Sequence, residues 1–245
     1  MRGYESSTFG DRSADLYDNW SIEWLDTDGT VARLAELAGS GPVLELGIGT
    51  GRVALPLFEY GIVVQGIDAS EAIVAKLRAK PGGDRIPVTI GDFSDLPVSG
   101  SFSLVFVVAS TFYQLQSQEA QLHCFENVAR RLQPGGLFVV DGFVLDAARF
   151  PGNQGMRIAA MGPDQLEVQF MQLDPTEQRL ICQRVTFTER GTRLVPIPFR
   201  YVWPSELDLM ARLAGLRLRE RAGGWRGEPF NATSNRHVSV YELPV

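Results

Sequence analysis

The sequence predicts an α/β fold with a doubly wound, mostly parallel sheet of seven strands and an inserted antiparallel β meander. Short apolar segments alternate with amphipathic helical segments between residues 31 and 145, which is typical of parallel sheets covered by helices on both faces. Residues 146–200 instead carry strand patterns joined by turn signals. One helix and two strand patterns return in residues 201–245, so the meander is predicted as an insertion into the sheet domain.

Residues 1–30 are polar but contain several large rings, and we predict a helical cap segment here. Tyr17, Trp20 and Trp24 have the i, i+3, i+7 spacing of one helical face. The pattern favours an amphipathic helix docked on the body of the protein. A second interpretation is that some of these rings line the mouth of a pocket.

Residues 31–145 form the first part of the predicted sheet domain. Gly39 and Gly41 are expected to end its first helix, and Gly135 and Gly136 its last. In chain order the patterns predict a helix at 31–38, a strand at 42–46, a helix at 52–60, a strand at 63–67, a helix at 70–79, strands at 88–90 and 104–108, a helix at 119–132 and a strand at 137–140.

The meander and the last part of the sheet domain follow. Strands are predicted at 166–173, 180–189 and 193–197, and this segment is expected to serve as a lid or an oligomer contact. Pro204 suits the first turn of a helix that Gly215 ends. The last two strands are predicted at 216–221 and 237–243.

Composition excludes several classes of protein. With 23 Lys and Arg against 29 Asp and Glu, the net charge of −6 argues against a general nucleic-acid binder. Two cysteines and two histidines cannot supply a disulfide framework and make a Cys/His zinc site hard to build, so no metal is expected. The N-terminal residues lack a signal-peptide pattern, and no apolar run approaches the roughly 18 residues of a membrane span. We therefore expect a cytoplasmic protein without nucleic-acid or membrane partners.

A glycine-rich turn carries the strongest functional signal. Gly47, Gly49 and Gly51 follow an apolar strand and precede a helix, whose free N–H groups favour an anion. Asp68 ends the second predicted strand, where its carboxylate can accept hydrogen bonds from ribose hydroxyls. These features predict a nucleoside ligand at the carboxyl ends of the strands.

The glycine spacing separates two kinds of nucleoside ligand. Dinucleotide-binding turns have the pattern G-x-G-x-x-G, in which the third glycine permits close packing of helix and strand. Here the glycines run G-x-G-x-G, and Arg52 stands where that third glycine is expected. A nicotinamide-dependent oxidoreductase is therefore disfavoured.

Four segments in order, ELGIGTGR, GIDAS, GDF and RRLQPGGLFVV, resemble class I S-adenosylmethionine-dependent methyltransferases. The resemblance covers roughly residues 31–145 and implies the Rossmann-like fold of that family, with S-adenosyl-L-methionine as the cofactor. The N-terminal segment and the meander make the chain similar to bacterial small-molecule N-methyltransferases of antibiotic and amino-sugar biosynthesis, including the lincosamide type.

The resemblance also implies site residues. Two aromatic residues, Tyr17 and Phe112, are expected to border the transfer site and are our candidate catalytic residues, with Tyr17 also contacting the cofactor. The remaining implied cofactor contacts are Glu45 for the loop and the cofactor amine, Gly47, Gly49 and Gly51 under the methionine part, Asp68 for the ribose, Ala69, Asp92 and Phe93 around the adenine, and Ala109 near the sulfonium.

Methyl transfer from a sulfonium is an in-line displacement that depends mainly on positioning and a dry pocket. We expect the acceptor to be an amine of a small natural-product or amino-sugar precursor, since a neutral amine needs no catalytic base. O-methylation and a non-catalytic nucleoside-binding protein of the same fold remain alternatives. The edge strands of the meander present unpaired backbone N–H and C=O groups, which a second copy of the chain could cover, so a homo-oligomer is also expected.

Overall fold

The computed structural model describes residues 3–20 and 26–245. Within these ranges the helices are α1 (Thr8–Ser13), α2 (Thr27–Ala38), α3 (Ala54–Glu59), α4 (Glu71–Arg78), α5 (Gln118–Arg131) and α6 (Pro204–Leu213). The strands are β1 (Val43–Leu46), β2 (Val64–Asp68), β3 (Val88–Ile90), β4 (Phe102–Val107), β5 (Leu132–Phe143), β6 (Gln154–Met161), β7 (Gln165–Asp174), β8 (Arg179–Thr188), β9 (Gly191–Arg200), β10 (Arg217–Ala222) and β11 (Arg236–Glu242).

Seven strands form one mixed sheet, which confirms the predicted fold class. Their order is β3-β2-β1-β4-β5-β11-β10, and the first five are parallel while β11 runs antiparallel to both β5 and β10. From β1 the chain adds β2 and β3 on one side, and it then returns to add β4 and β5 on the other side. The strand order therefore switches between β1 and β4. Ligands of open α/β sheets bind at such a switch point, beyond the carboxyl ends of the strands.

The sequence specifies the core of this sheet by continuous apolar strands. Every residue of β1 is buried, and Val43 and Leu44 have no exposed surface, because helices cover both faces of the sheet. Side-chain caps fix where three helices begin: Asp26 accepts from Gly29 N in α2, Ser70 from Ile73 N in α4, and Ser117 from Ala120 N in α5.

One glycine signal was interpreted wrongly. Gly135 and Gly136 do not end α5, which stops at Arg131, but lie inside β5, where Gly135 has a φ of +74°. The glycine pair therefore marks an irregular start of the strand, at a register shift between β4 and β5.

The meander is a separate four-stranded antiparallel sheet in the order β6-β7-β8-β9. Its first strand was not predicted, because the residues QGMRIAAM show no clear alternation of apolar and polar side chains. The last strand is twice as long as predicted and reaches Arg200. The sheet packs on the body through Leu173 and Leu180, which belong to the same buried cluster as Phe138 of β5.

The N-terminal segment differs from the predicted amphipathic helix. Helix α1 ends at Ser13, and Tyr17 lies in a single 3₁₀ turn, Tyr17–Asn19, with Trp20 buried just after it. Trp24, the third ring of the predicted helical face, lies outside the described residues. The division of the chain into cap, core and insertion remains a prediction.

No helix in the described ranges is long and apolar enough to cross a membrane. Those ranges also contain no group of three or more His, Cys, Asp or Glu residues that could hold a metal ion.

Candidate active site

A cleft of about 240 Å³ lies where the carboxyl ends of the parallel strands meet the N-terminal segment. The cleft is lined by residues from the loops after β1, β2, β3 and β4, so four distant parts of the chain contribute to it. The residues predicted from sequence that line it are Tyr17, Gly47, Gly49, Asp68, Ala69, Asp92 and Phe93.

The bend after β1 depends on glycine for two reasons. Gly47, Gly49 and Gly51 have φ values of +70°, +55° and +76°, a region that other residues rarely adopt. A Cβ atom on Gly47 would lie 2.6 Å from the Cγ2 of Thr111, and one on Gly51 would collide with Leu77. The glycines therefore let the loop after β4 and helix α4 approach the bend closely.

Asp68 ties the end of β2 to this bend. Its carboxylate accepts hydrogen bonds from the N–H of Gly49 at 2.9 Å and the N–H of Ser70 at 3.0 Å. Burial raises its pKa, while the bonds from Ser70 and Gly49 act in the opposite direction. Because each carboxylate oxygen can accept a second bond, Asp68 can hold the bend and a ligand hydroxyl together.

Glu45 lies in β1 behind the cleft lining and is only 2% exposed. Among the described residues, no group donates a hydrogen bond to its Oε2 atom. Burial, followed by the charge of Asp68, raises the pKa of Glu45 well above its ordinary value. A buried carboxyl oxygen without a partner is suited to receive a cationic or hydrogen-bonding ligand group.

The loop after β3 is fixed by helix α5. Asp92 Oδ1 accepts from both the N–H and the hydroxyl of Ser94, at 2.9 and 2.8 Å. The carbonyl of Ser94 accepts from Asn127 Nδ2 at 2.8 Å, and Cys124 lies under the carbonyl of Phe93. These contacts hold the Asp92 carboxylate and the Phe93 ring at one wall of the cleft.

The N-terminal segment is fastened over the glycine bend. Asp18 accepts from the hydroxyl of Thr50 at 2.6 Å and pairs with Lys80 at 2.7 Å. Arg52 donates to the carbonyl of Tyr17 at 3.2 Å, and its guanidinium lies 5.2 Å from the centre of the Tyr17 ring. Burial raises the pKa of the Tyr17 hydroxyl, so the ring faces the cleft as a neutral phenol.

The antiparallel sheet supports the same segment from the other side. Arg193 of β9 pairs with both oxygens of Asp15 at 2.7 Å and also donates to the carbonyl of Arg12. The guanidinium of Arg184 lies 3.9 Å from the centre of the Trp20 ring and pairs with the buried Glu167. The meander therefore supports the N-terminal segment, which covers the cleft.

The structure does not bring Phe112 to the cleft. Its ring is fully buried and packs edge-on against Phe125 and Phe138, with ring centres 5.5 and 6.5 Å away. Its neighbour Thr111 lines the cleft instead, together with Gln114. The lining residues do not include three further predicted contacts, Gly51, Glu45 and Ala109.

Sequence reasoning allowed rings of residues 1–30 to line the mouth of a pocket, but it did not single out Tyr4 or Gly10. Tyr4, Phe9 and Gly10 all line the cleft, and the Phe9 ring packs edge-on against that of Tyr17. The buried Tyr4 hydroxyl has no hydrogen-bond partner among the described residues, and burial raises its pKa to about 12. Aromatic residues in an otherwise polar segment were the only signal that could have located this wall.

This chain resembles known proteins over most of its length. A family model described as a methyltransferase domain matches residues 43–136. The cypemycin N-terminal methyltransferase of a Streptomyces species is 30% identical over 205 residues, which are 82% of each chain. The CcbJ methyltransferase from Streptomyces caelestis has a solved structure that is 37% identical, with a TM-score of 0.91 over 99% of this chain and 100% of that chain.

A third relative, from Saccharopolyspora spinosa, is dTDP-4-amino-2,3,4,6-tetradeoxy-D-glucose N,N-dimethyltransferase. It is 27% identical over 168 residues, which are 61% of this chain and 66% of the relative. The family model, the named relatives and the seven-stranded fold all indicate a methyltransferase. This chain therefore belongs to the class I S-adenosylmethionine-dependent methyltransferases, and S-adenosylmethionine is its cofactor.

Proposed function

We propose that this enzyme methylates an amine nitrogen of a small natural-product or amino-sugar precursor. One observation supports the site most strongly: Gly47, Asp68 and Asp92, predicted from three separate strand ends, surround one cleft with the Tyr17 ring. The relatives support the choice of nitrogen. One is named an N-terminal methyltransferase and another an amino-sugar N,N-dimethyltransferase.

The residues of the cleft fit the cofactor. Asp68 has free acceptor capacity for ribose hydroxyls, and Asp92 offers a carboxylate to the adenine amine beside the Phe93 ring. The unpartnered oxygen of Glu45, a residue outside the cleft lining, offers a further acceptor for the amine of the methionine part. When bound, S-adenosylmethionine supplies an electrophilic methyl group on a sulfonium.

The chain's own contribution is positioning and the exclusion of water. The N-terminal segment, fastened by Asp18 and Arg52, covers the glycine bend and keeps the reacting atoms from solvent. The Tyr17 ring lines the cleft as a neutral phenol, and aromatic rings in such a position favour a cationic centre. Phe112 acts from the core, where it supports the loop that carries Thr111.

The acceptor chemistry follows from the side chains that are present. No histidine or lysine is among the described residues that line the cleft. His237 is buried, and burial lowers its pKa to about 3, so it remains neutral and structural at physiological pH. An alcohol generally needs a base that removes its proton, whereas a neutral amine attacks directly. Carboxylates such as Glu5 and Asp92 also line the cleft, so the choice of nitrogen over oxygen rests mainly on the named relatives.

The proposal can be tested with methyl-labelled S-adenosylmethionine. The wild-type enzyme is incubated with matched acceptor pairs that differ only by an amino or a hydroxyl group at one position, including an amino sugar and its hydroxy analogue. We expect label in the amines, with formation of S-adenosylhomocysteine. Label in the alcohols alone would contradict the choice of nitrogen, and cofactor binding without transfer to any acceptor would favour a non-catalytic binding protein.

We further propose that two copies of this chain associate through the outer face of the meander, the face opposite Leu173 and Leu180. Six large apolar side chains that share this face are at least 40% exposed: Met156, Ile158, Met161, Phe170, Phe187 and Leu194. Together these side chains expose an area on the order of 500 Å². A two-fold dimer would bury this face on both copies, so the total buried area would approach the lower range of specific interfaces.

Light scattering after size-exclusion chromatography tests this association. The wild type is expected to elute as a dimer, and Phe170→Glu as a monomer of unchanged secondary structure. Leu209→Glu changes an apolar residue of similar exposure on α6, 54% against 45% for Phe170, and is the matched control. A monomeric wild type at about 100 μM would contradict the proposal.

A further inference from the structure

The turn after β4 has an unusual backbone. Ala109 and Ser110 are consecutive residues with φ values of +58° and +61°, although neither is glycine. The other three non-glycine residues with positive φ that lie inside the described ranges and away from this turn are isolated: Leu96, Asn153 and Gln178. Because L-residues with a Cβ atom disfavour this region, two in succession persist only where the surrounding structure holds them.

The end of β5 holds this turn. The carboxylate of Asp141, which is 1% exposed, accepts from the N–H of Ala109 at 3.0 Å. The carbonyl of Asp141 accepts from the N–H of Ser110 at 3.2 Å, and the hydroxyl of Ser110 accepts from the N–H of Phe143 at 3.1 Å. Both left-handed residues are therefore bonded to the same strand.

A charge fixes the orientation of that carboxylate. Arg236 of β11 donates from Nη2 to both oxygens of Asp141, at 2.7 and 2.9 Å. Hydrogen bonds with an ionised partner are shorter and stronger than neutral ones, and the buried surroundings strengthen this one further. The neighbouring strand thus orients the acceptor that holds Ala109.

The turn determines where one wall of the cleft lies. Thr111 follows the two left-handed residues directly and packs against Gly47, leaving no space there for a Cβ atom. Gln114, Leu115 and Gln116, which also line the cleft, continue from the same turn. A relaxed turn would therefore displace the wall that faces the glycine bend.

We infer that Asp141 is a positioning residue for methyl transfer: by holding Ala109 and Ser110 in the left-handed conformation, it places Thr111 against the glycine bend. It touches neither the cleft nor any reacting atom. This inference rests on the proposed function for its catalytic consequence, but its structural part stands on the contacts between Asp141 and the turn.

The test combines Asp141→Asn, which keeps the size of the side chain but removes its charge, with Ala109→Gly. Glycine adopts the left-handed region without a side-chain clash, so it should reduce the need for the carboxylate. We expect Asp141→Asn to lower kcat at least tenfold while the Kd for S-adenosylhomocysteine changes less than threefold. The further loss on adding Asp141→Asn to Ala109→Gly should be less than threefold, which is a non-additive result.

Asp208→Asn is the matched control, because Asp208 also pairs with a strand arginine, Arg221, at 2.6 Å but makes no contact with the turn. Its kcat should equal that of the wild type. Equal losses of kcat in Asp141→Asn and Asp208→Asn would show a general effect of removing an ion pair and would overturn the inference. Additive effects of Asp141→Asn and Ala109→Gly would overturn it as well.

Amide hydrogen exchange separates this inference from the proposed function. Asp141→Asn should accelerate exchange at the amides of Ala109 and Ser110 in the unliganded protein, and Asp208→Asn should not. If the wild type methylates no amine, the proposed function fails while exchange still tests the role of Asp141. Unchanged exchange in Asp141→Asn would overturn the inference whatever the activity.

Discussion

The Asp68 carboxylate accepts a hydrogen bond from the backbone N–H of Gly49 at 2.9 Å, and so connects the end of β2 to the glycine bend after β1. The same carboxylate faces the cleft. One side chain therefore shapes the bend and offers an acceptor to the ligand that the bend receives. This double role explains why the two features occur together in the sequence.

Replacing Asp68 should weaken cofactor binding severely. Hydrogen bonds to a charged acceptor contribute about 1.5–3 kcal/mol each, so two lost ribose bonds would lower affinity by at least about 100-fold at about 1.4 kcal/mol per tenfold. Calorimetric titration of Asp68→Ala with S-adenosylhomocysteine measures this loss. Asp174→Ala, at the exposed end of β7, is the control. An unchanged Kd in Asp68→Ala would remove the assignment of Asp68 to the ribose.

The hydroxyl of Tyr4 is expected to bind a ligand group. A buried hydroxyl without a partner costs about 1–3 kcal/mol, so Tyr4→Phe should leave the melting temperature of the unliganded protein equal or slightly higher. The same variant should raise the KM for the acceptor or the Kd for the cofactor about fivefold to tenfold. Tyr60→Phe, at an exposed site outside the cleft, should change neither constant. A less stable Tyr4→Phe with unchanged constants would contradict the expectation.

The buried Glu45 should make stability depend on pH. Its pKa is raised in the folded protein, so between its ordinary value and the raised value the folded state binds more protons than the unfolded chain. The free energy of unfolding therefore falls as pH rises through this interval. The side chain introduced by Glu45→Gln does not titrate, so the free energy of unfolding of this variant lacks the decrease that Glu45 causes.

Urea denaturation of the wild type and Glu45→Gln from pH 4 to pH 8 measures the effect. We expect Glu45→Gln to gain stability relative to the wild type as pH rises through the interval that begins near the ordinary pKa of glutamate. A stability difference between the two proteins that stays constant with pH would show that the pKa of Glu45 is not raised in the folded protein.

The fastening of the N-terminal segment should be visible by proteolysis. Asp18→Ala removes the bonds to Thr50 and Lys80, so the segment should open more often. Trypsin should then cleave after Arg12 faster than in the wild type, and S-adenosylhomocysteine should slow that cleavage. Asp84→Ala, in an exposed turn of the sheet domain, is the control and should behave as the wild type. Equal rates in Asp18→Ala and the wild type would contradict the fastening.

Much of the site could be predicted because its residues stand at the ends of strands, which sequence patterns locate. Gly47, Asp68 and Asp92 each follow an apolar strand, and the carboxyl ends of neighbouring parallel strands meet at one edge of a sheet. Strand and turn patterns in the sequence are therefore sufficient to bring these three residues together.

Other parts depend on contacts that sequence patterns do not contain. Phe112 and Thr111 are adjacent in a 3₁₀ turn, and only the packing of Phe112 against Phe125 decides which of them faces the cleft. Tyr17 lies in a short turn because Arg52 holds its carbonyl, a contact over 35 residues. Strand β6 pairs with β7 although its own residues lack an alternating pattern.

The assignment of this cleft to the cofactor and an amine acceptor can be tested by a crystal structure of the enzyme with S-adenosylhomocysteine and the methylated amine. We expect the ribose hydroxyls within hydrogen-bond distance of Asp68, the adenine between Ala69 and Phe93, and the product nitrogen facing the sulfur beneath the Tyr17 ring. A cofactor bound away from the glycine bend, or a product whose methyl group is carried by oxygen, would contradict this assignment.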